Sequence, residues 1–205
     1  MTECCRLIER PFPVVVSAPS GTGKTVVVER LLAIDGRLVR ALTATTRPAR
    51  KGEVEGVHYL FLSQEEFAAK REAGQFVEFA RVHDHWYGVP KASVHEALRK
   101  GKWVVCNVDV QGGLAIRQAH QEAVLIFLLP PSMEALEERL RGRGTDSEEE
   151  VALRMRNALA EMAVARQYDY VVVNDDIRTC ANRLLEIVHA ETSRTARGLV
   201  MPSEP

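Results

Sequence analysis

Four cysteines are too few, and too scattered, to organise a chain of 205 residues. Cys4, Cys5, Cys106 and Cys180 form no CxxC pair, and no histidine cluster accompanies them, which excludes the common zinc spacings. Cys4 and Cys5 are adjacent, a poor geometry for a mutual disulfide. Reduced thiols and a cytoplasmic location are expected. Long apolar runs are missing as well, so no segment reads as a bilayer span. The start, MTECCRLIERPFP, carries acids and has no apolar stretch, unlike a signal or transit peptide. Nor is there an excess of one charge: 27 Lys and Arg face 28 Asp and Glu. Broad binding to nucleic acid or to a membrane surface wants a one-signed patch, so neither partner is expected. Internal repeats, coiled-coil heptads and exposed apolar stripes do not stand out, which leaves monomer and homodimer as equal expectations for the assembly.

What is present is an alternation. Val14–Ser17, Trp103–Val108, Val124–Leu129 and Tyr170–Val173 are short apolar runs of the kind that form buried strands. Helical patterns separate them: Lys24–Ile34, Pro90–Lys100, Gly112–Ala119, Ser132–Arg141 with Ser132 as N-cap, Glu148–Gln167 and Asp176–Ala190. The fold class is therefore α/β, a parallel central sheet flanked by helices on both faces. Strand-like runs at His58–Leu62 and Phe76–Ala80, around a short helix, break the alternation and mark an inserted subdomain over 43–90. The core then comprises 12–42, 91–141 and 160–191. Residues 142–159 begin with a polar, glycine-containing loop that reads as mobile. Residues 1–11 form an N-terminal extension, and the polar tail 192–205 is expected to be disordered.

The strongest local signal follows the first strand. Ala18, Pro19, Ser20, Gly21, Thr22, Gly23, Lys24 and Thr25 spell a glycine-rich turn ending in Lys-Thr at a helix start. That is the P-loop arrangement, with Ala18 where the general pattern has its first glycine. Glycine lets the backbone curl and aim its N–H groups at phosphate, and the helix N-terminus adds its dipole. Lys24 would supply charge to the β- and γ-phosphates, and Thr25 a hydroxyl to Mg²⁺. A strand–turn–helix corner with glycines for packing is the plainer alternative, and the complete motif in its context argues against it. The loop alone does not choose between ATP and GTP.

Further along, Arg47 and Arg50 flank a proline, and guanidinium forks suit phosphate oxygens. By themselves they would read as two surface arginines. Tyr59, Glu78 and Tyr87 follow within the same inserted segment. Arg139, Arg143 and Arg154 surround the glycine-containing loop, where solvated charge is again the bland reading.

Taken in order, SAPSGTGKT, TTRPARKGEVEGVHYLF, FVEFA with WYG, VDVQG, LPPS with RLRGRGTDSEE, and YDYVVVNDD resemble the guanylate kinase family, from Val14 to about Ala190. The resemblance implies a P-loop NTPase fold with an inserted GMP-binding subdomain and a mobile lid. It implies transfer of the γ-phosphoryl group of ATP to GMP, and to dGMP, with Mg²⁺ accompanying ATP. Arg47, Arg50, Tyr59 and Tyr87 would clamp the GMP phosphate. Thr43 and Glu78 would read guanine, with Asp109 beside them. Arg139, Arg143 and Arg154 would be the lid arginines, which joins them to Lys24 as the catalytic set. Asn174 is expected to contact the ATP base or to support the lid.

The role given to Glu78 also follows from chemistry. An ionised carboxylate only accepts hydrogen bonds. Guanine offers it two adjacent donors, whereas adenine would turn an acceptor toward it. In a dry site such mismatch discriminates by roughly 10⁴–10⁵. No general base is assigned, because the attacking phosphate oxygen is already largely ionised near neutral pH; His58, His83, His85 and His95 read as structural or surface residues. Two positions depart from the family pattern: Val89 replaces a hydroxyl residue after WYG, and Asn107 replaces a carboxylate two residues before Asp109. The first should cost a hydrogen bond to the base. The second should alter Mg²⁺ or water positioning. A P-loop kinase for another small phosphorylated acceptor and a non-catalytic binding domain of this fold are the rival readings.

Overall fold

The computed structural model describes residues 6–7, 9–82, 84–142 and 147–200. In chain order the strands are β1 (Arg6–Leu7), β2 (Pro13–Ser17), β3 (Leu38–Arg40), β4 (Thr43–Thr45), β5 (Tyr59–Phe61), β6 (Phe76–Val82), β7 (His85–Pro90), β8 (Trp103–Asn107), β9 (Val124–Leu129), β10 (Tyr170–Val173) and β11 (Leu199–Val200). The helices are α1 (Lys24–Ile34), α2 (Gln64–Glu72), α3 (Lys91–Arg99), α4 (Val110–Ala119), α5 (Met133–Arg141), α6 (Glu148–Ala163), α7 (Ile177–Thr192) and α8 (Thr195–Gly198).

The central sheet runs β10-β9-β2-β8-β3, and each pairing in it is parallel. Its inner strands β9, β2 and β8 are apolar almost throughout because both faces are covered, while the edge strands β10 and β3 carry exposed residues. Val14 and Val16 of β2, Ile126 of β9 and Val105 of β8 turn to one side, where α1 and α7 bring Val28, Leu31 and Leu184. Val15, Phe127 and Cys106 turn to the other, against Val94 of α3 and Ile116 of α4. β2 lies in the middle, and the chain leaves its C-terminal end straight into the glycine-rich turn. A ligand site at that end of a parallel strand is where α/β sheets ordinarily build one.

The inserted segment forms a second sheet, β5-β4-β7-β6, whose own core gathers Ala44, Phe67 and Phe76. Phe67 and Phe76 stack with ring centroids 4.5 Å apart. Helix α2 starts at a capping box, in which Ser63 and Glu66 satisfy each other's backbone N–H.

Several boundaries differ from expectation for local reasons. The Asp109 side chain accepts from Gly112 N–H at 2.8 Å, so α4 begins at Val110, two residues early. The expected helix 148–167 ends at Ala163 and tightens to a 3₁₀ turn over Val164–Gln167. Residue 159, the expected end of the lid, falls inside the unbroken α6.

The tail is a correction. It was expected to be disordered from 192, yet α7 reaches Thr192, α8 follows, and β11 pairs antiparallel with β1. Its polar residues find partners instead of water. Glu191 is 1% exposed and takes bonds from Tyr170 Oη at 2.5 Å and Arg197 Nη2 at 2.7 Å. The Arg197 guanidinium also lies 4.1 Å over the Phe12 ring and bonds the Glu122 carbonyl at 2.8 Å. Residues 201–205, like Cys4, Cys5, His83, Arg143 and Gly144, lie outside the described residues. Among the described residues no helix is long and apolar enough to cross a membrane.

Candidate active site

The turn after β2 is held by backbone that side chains would obstruct. Gly21 and Gly23 have φ of 90° and 89°, the left-handed region that glycine occupies without strain. A Cβ on Gly21 would sit 2.9 Å from Leu140 Cδ2 of α5, so this glycine also admits a close approach. Thr22 N–H donates to the Pro19 carbonyl at 3.2 Å and closes the turn. Ala18 is buried in the first core, where a methyl group fits. Gly23 is the N-cap of α1 and no side chain caps that helix, so its dipole opens on the turn.

Other elements secure the loop. The Thr22 carbonyl accepts from Asn174 Nδ2 at 2.6 Å and from Arg139 Nη1 of α5 at 3.0 Å. The backbone N–H of Ser20 favours the ionised form of the Glu161 carboxylate on α6, against burial. Lys24 Nζ donates to the Val108 carbonyl. Burial lowers the Lys24 pKa to about 8, opposed by the nearby carboxylates of Asp109, Glu161 and Glu78. Thr25 stands next to Lys24 at the edge of a cavity of about 530 Å³.

That cavity joins the two sheets. Lys24 and Thr25 at the start of α1 line it, as do Thr43, Tyr59, Glu78, Tyr87 and Val89 of the inserted sheet, with Asn107 and Asp109. Strands β6 and β7 pair in a register that sets Glu78 opposite Val89, whose backbone N–H favours the ionised carboxylate. Burial and the Asp109 charge push the Glu78 pKa up to about 7, against the pull of Lys24. Gly112 makes room for it, since a Cβ there would lie 3.1 Å from Glu78 Oε2.

At the outer end of the cavity, Arg47 meets both tyrosines. Its guanidinium is 5.5 Å from the Tyr59 ring centroid and interacts with the Tyr87 side chain. The two rings are 6.2 Å apart, edge to face. Glu53 bonds Arg47 Nη2 at 2.7 Å, and Arg47 Nη1 donates to the Pro48 carbonyl at 2.6 Å. Arg50 is exposed, and its N–H donates to the same Glu53 at 2.7 Å. Arg154 lies on α6, where its charge acts on Glu150.

Of the sequence-predicted residues, Lys24, Thr25, Thr43, Tyr59, Glu78, Tyr87 and Asp109 line this one cavity. Asn174 sits deeper than a base-contacting residue would, at 2% exposure with its amide on the loop. Three contributors escaped the sequence reading. Glu53 and Glu161 are acids among many on this chain, and only their partners distinguish them. Gly112 carried a signal, as the last residue of VDVQG.

Comparison with known proteins agrees with this geometry. The family model for guanylate kinase matches residues 10–191. A guanylate kinase of Desulfotalea psychrophila is 46% identical over 184 residues, covering 89% of this chain and 91% of that one. One from Clostridioides difficile is 39% identical over 190 residues, covering 93% of each. The crystal structure of guanylate kinase from Anaplasma phagocytophilum superposes with a TM-score of 0.74 at 34% identity, covering 94% of this chain and 92% of that one. A likeness that spans both the phosphate loop and the inserted sheet makes this chain a member of the guanylate kinase family.

Proposed function

We propose that this cleft transfers the γ-phosphoryl group of ATP to GMP, and to dGMP, yielding ADP and the guanosine diphosphate. One observation carries the reading: the phosphate-loop lysine and the carboxylate suited to guanine line the same cavity. A P-loop kinase for a different phosphorylated acceptor would have no use for Glu78 beside Thr43 and a tyrosine–arginine cluster. A non-catalytic binding domain would have no use for Lys24.

The chemistry needs positioning more than acid–base help. A phosphate oxygen of GMP forms the new bond to the γ-phosphorus. The bond from that phosphorus to the β–γ bridging oxygen breaks, and its electron pair leaves on ADP. Arg47, Arg50, Tyr59 and Tyr87 would fix the acceptor phosphate, and Thr43, Glu78 and Asp109 its base. Lys24, with Arg139 from α5 and Arg143 and Arg154 from the lid, would offset the charge that spreads over the equatorial oxygens.

The donor set also suits Mg²⁺, a hard cation that takes a few protein oxygens besides phosphate and water. Thr25 and Asp109 both line the cavity, and Thr25 would be its ligand. When bound, the ion neutralises charge on the β- and γ-oxygens. Balanced charge supports ATP and GMP as partners over nucleic acid or membrane, and the enzyme would work in the cytoplasm as a monomer or homodimer.

A coupled assay of ADP release with Mg²⁺-ATP tests this, comparing GMP with AMP. Turnover with GMP and little with AMP is expected. Equal turnover with both would remove the guanine-reading role of Glu78, and none with either would remove the kinase reading.

A further inference from the structure

The Thr22 carbonyl, at the tip of the phosphate loop, takes two side-chain donors from separate parts of the fold. Asn174 Nδ2 reaches it at 2.6 Å from the segment after β10, and Arg139 Nη1 at 3.0 Å from α5. The two bonds are not equivalent. Asn174 is 2% exposed, and its own N–H is tied to the Leu129 carbonyl at 2.8 Å at the end of β9. It is a fixed part of the core. The loop closes around it, since a Cβ on Gly23 would come within 3.1 Å of Asn174 Nδ2. The amide oxygen of Asn174 and the hydroxyl of Thr22 are both buried without a hydrogen-bond partner among the described residues. The bond to the Thr22 carbonyl is therefore what orients this amide.

Arg139 has the opposite character. Its bond is only partly buried, and the side chain is long and flexible. Under the function proposed above, on which this inference rests, Arg139 must leave Thr22 for the donor nucleotide. A carbonyl oxygen accepts two bonds, but left with none in a buried place it carries a desolvation penalty. With Asn174 in place, the departure of Arg139 leaves the carbonyl satisfied.

We propose that Asn174 is a positioning residue that frees Arg139: by holding the Thr22 carbonyl permanently, it lets the arginine move between that carbonyl and the bound nucleotide. Without Asn174, Arg139 would be the sole side-chain partner of that oxygen among the described residues and would be retained there.

A double-mutant cycle in kcat tests the coupling, using the full chain with Mg²⁺-ATP and GMP at saturation. Arg139→Ala should lower kcat by about 10²-fold and Asn174→Ala by about tenfold, with KM for GMP unchanged in the latter. The double variant should be no slower than Arg139→Ala, because with the arginine gone Asn174 has nothing to free. Asn174→Leu, similar in size but without a donor, guards against a folding defect, and melting temperature and ADP affinity are measured on each variant. Multiplicative losses, about 10³-fold in the double variant, would overturn the inference while leaving the role of Arg139 intact. An unchanged kcat in Arg139→Ala would overturn both.

Discussion

Glu53 holds Arg47 with one carboxylate oxygen, at 2.7 Å from Nη2, and takes the N–H of Arg50 at 2.7 Å with the other. One acid thereby links the two arginines expected to bind the acceptor phosphate. Arg47 in turn keeps the Glu53 carboxyl below its ordinary range. Glu53→Gln retains only one accepting oxygen and no charge, so the clamp should lose its preset geometry. KM for GMP should rise about tenfold while kcat changes far less. Steady-state kinetics with GMP varied decide the matter. A fall in KM would mean that Glu53 competes with the substrate phosphate for Arg47 instead of presenting it.

Lys24 is aimed at a protein carbonyl in this structure, and the approach of ATP would redirect it to phosphate. Its charge cannot be replaced by loop amides alone. Lys24→Ala should fold normally and lose about 10²–10³-fold in kcat. Near-normal turnover, measured with circular dichroism as the check on folding, would sink the assignment of this loop to the phosphate donor.

Glu78 connects base reading to pH. Its folded-state pKa of about 7 lies above the 4.5 of the free side chain, chiefly through burial. Between those values the folded protein holds a proton that the unfolded chain has released, so stability falls as pH rises from 4.5 toward 7. Above that window the ionised carboxylate is fully destabilising. Glu78→Gln should therefore raise the melting temperature at pH 8, by an amount worth roughly 1–3 kcal/mol, and the gain should vanish near pH 4.5. The same variant should use GMP poorly, since an amide turns a donor toward guanine. Thermal melts across pH provide the check; a gain independent of pH would show that ionisation at this position is not the source.

The physical character of each element decided how far the sequence disclosed it. Val14–Ser17 and Val124–Leu129 are buried on both faces, and such strands announce themselves as apolar runs. β4, with Thr-Ala-Thr, and β7, with a histidine, a glycine and a terminal proline, face a cleft on one side and show no such run. β1 and β11 exist only because distant ends of the chain meet, which no local pattern records. The same division holds within the site. Gly21, Gly23 and Lys24 are legible because phosphate binding demands those types at that spacing. Glu53, Glu161 and the bond from Asn174 to Thr22 depend on partners that only folding brings together.

Val89 departs from the family pattern, and the fold shows what holds it there. Its side chain is 1% exposed and packs in the second core with Val94, Val104 and Cys106, while it also borders the cavity beside Glu78. Its backbone N–H is near enough to Glu78 to favour the ionised carboxylate, so the missing hydroxyl bears on the base more than on the carboxylate. Val89→Thr keeps the volume and one methyl group and adds a donor at the cavity wall. Burying part of that hydroxyl should cost about 1 kcal/mol of stability. The new hydrogen bond to the acceptor base, worth about 0.5–1.5 kcal/mol, should lower KM for GMP roughly two- to tenfold. AMP should gain nothing from the change. Kinetics with both nucleotides, together with a denaturant titration, separate the two effects. If stability falls and KM for GMP stays unchanged, the threonine hydroxyl has turned into the core, and Val89 is a packing residue with no share in base recognition.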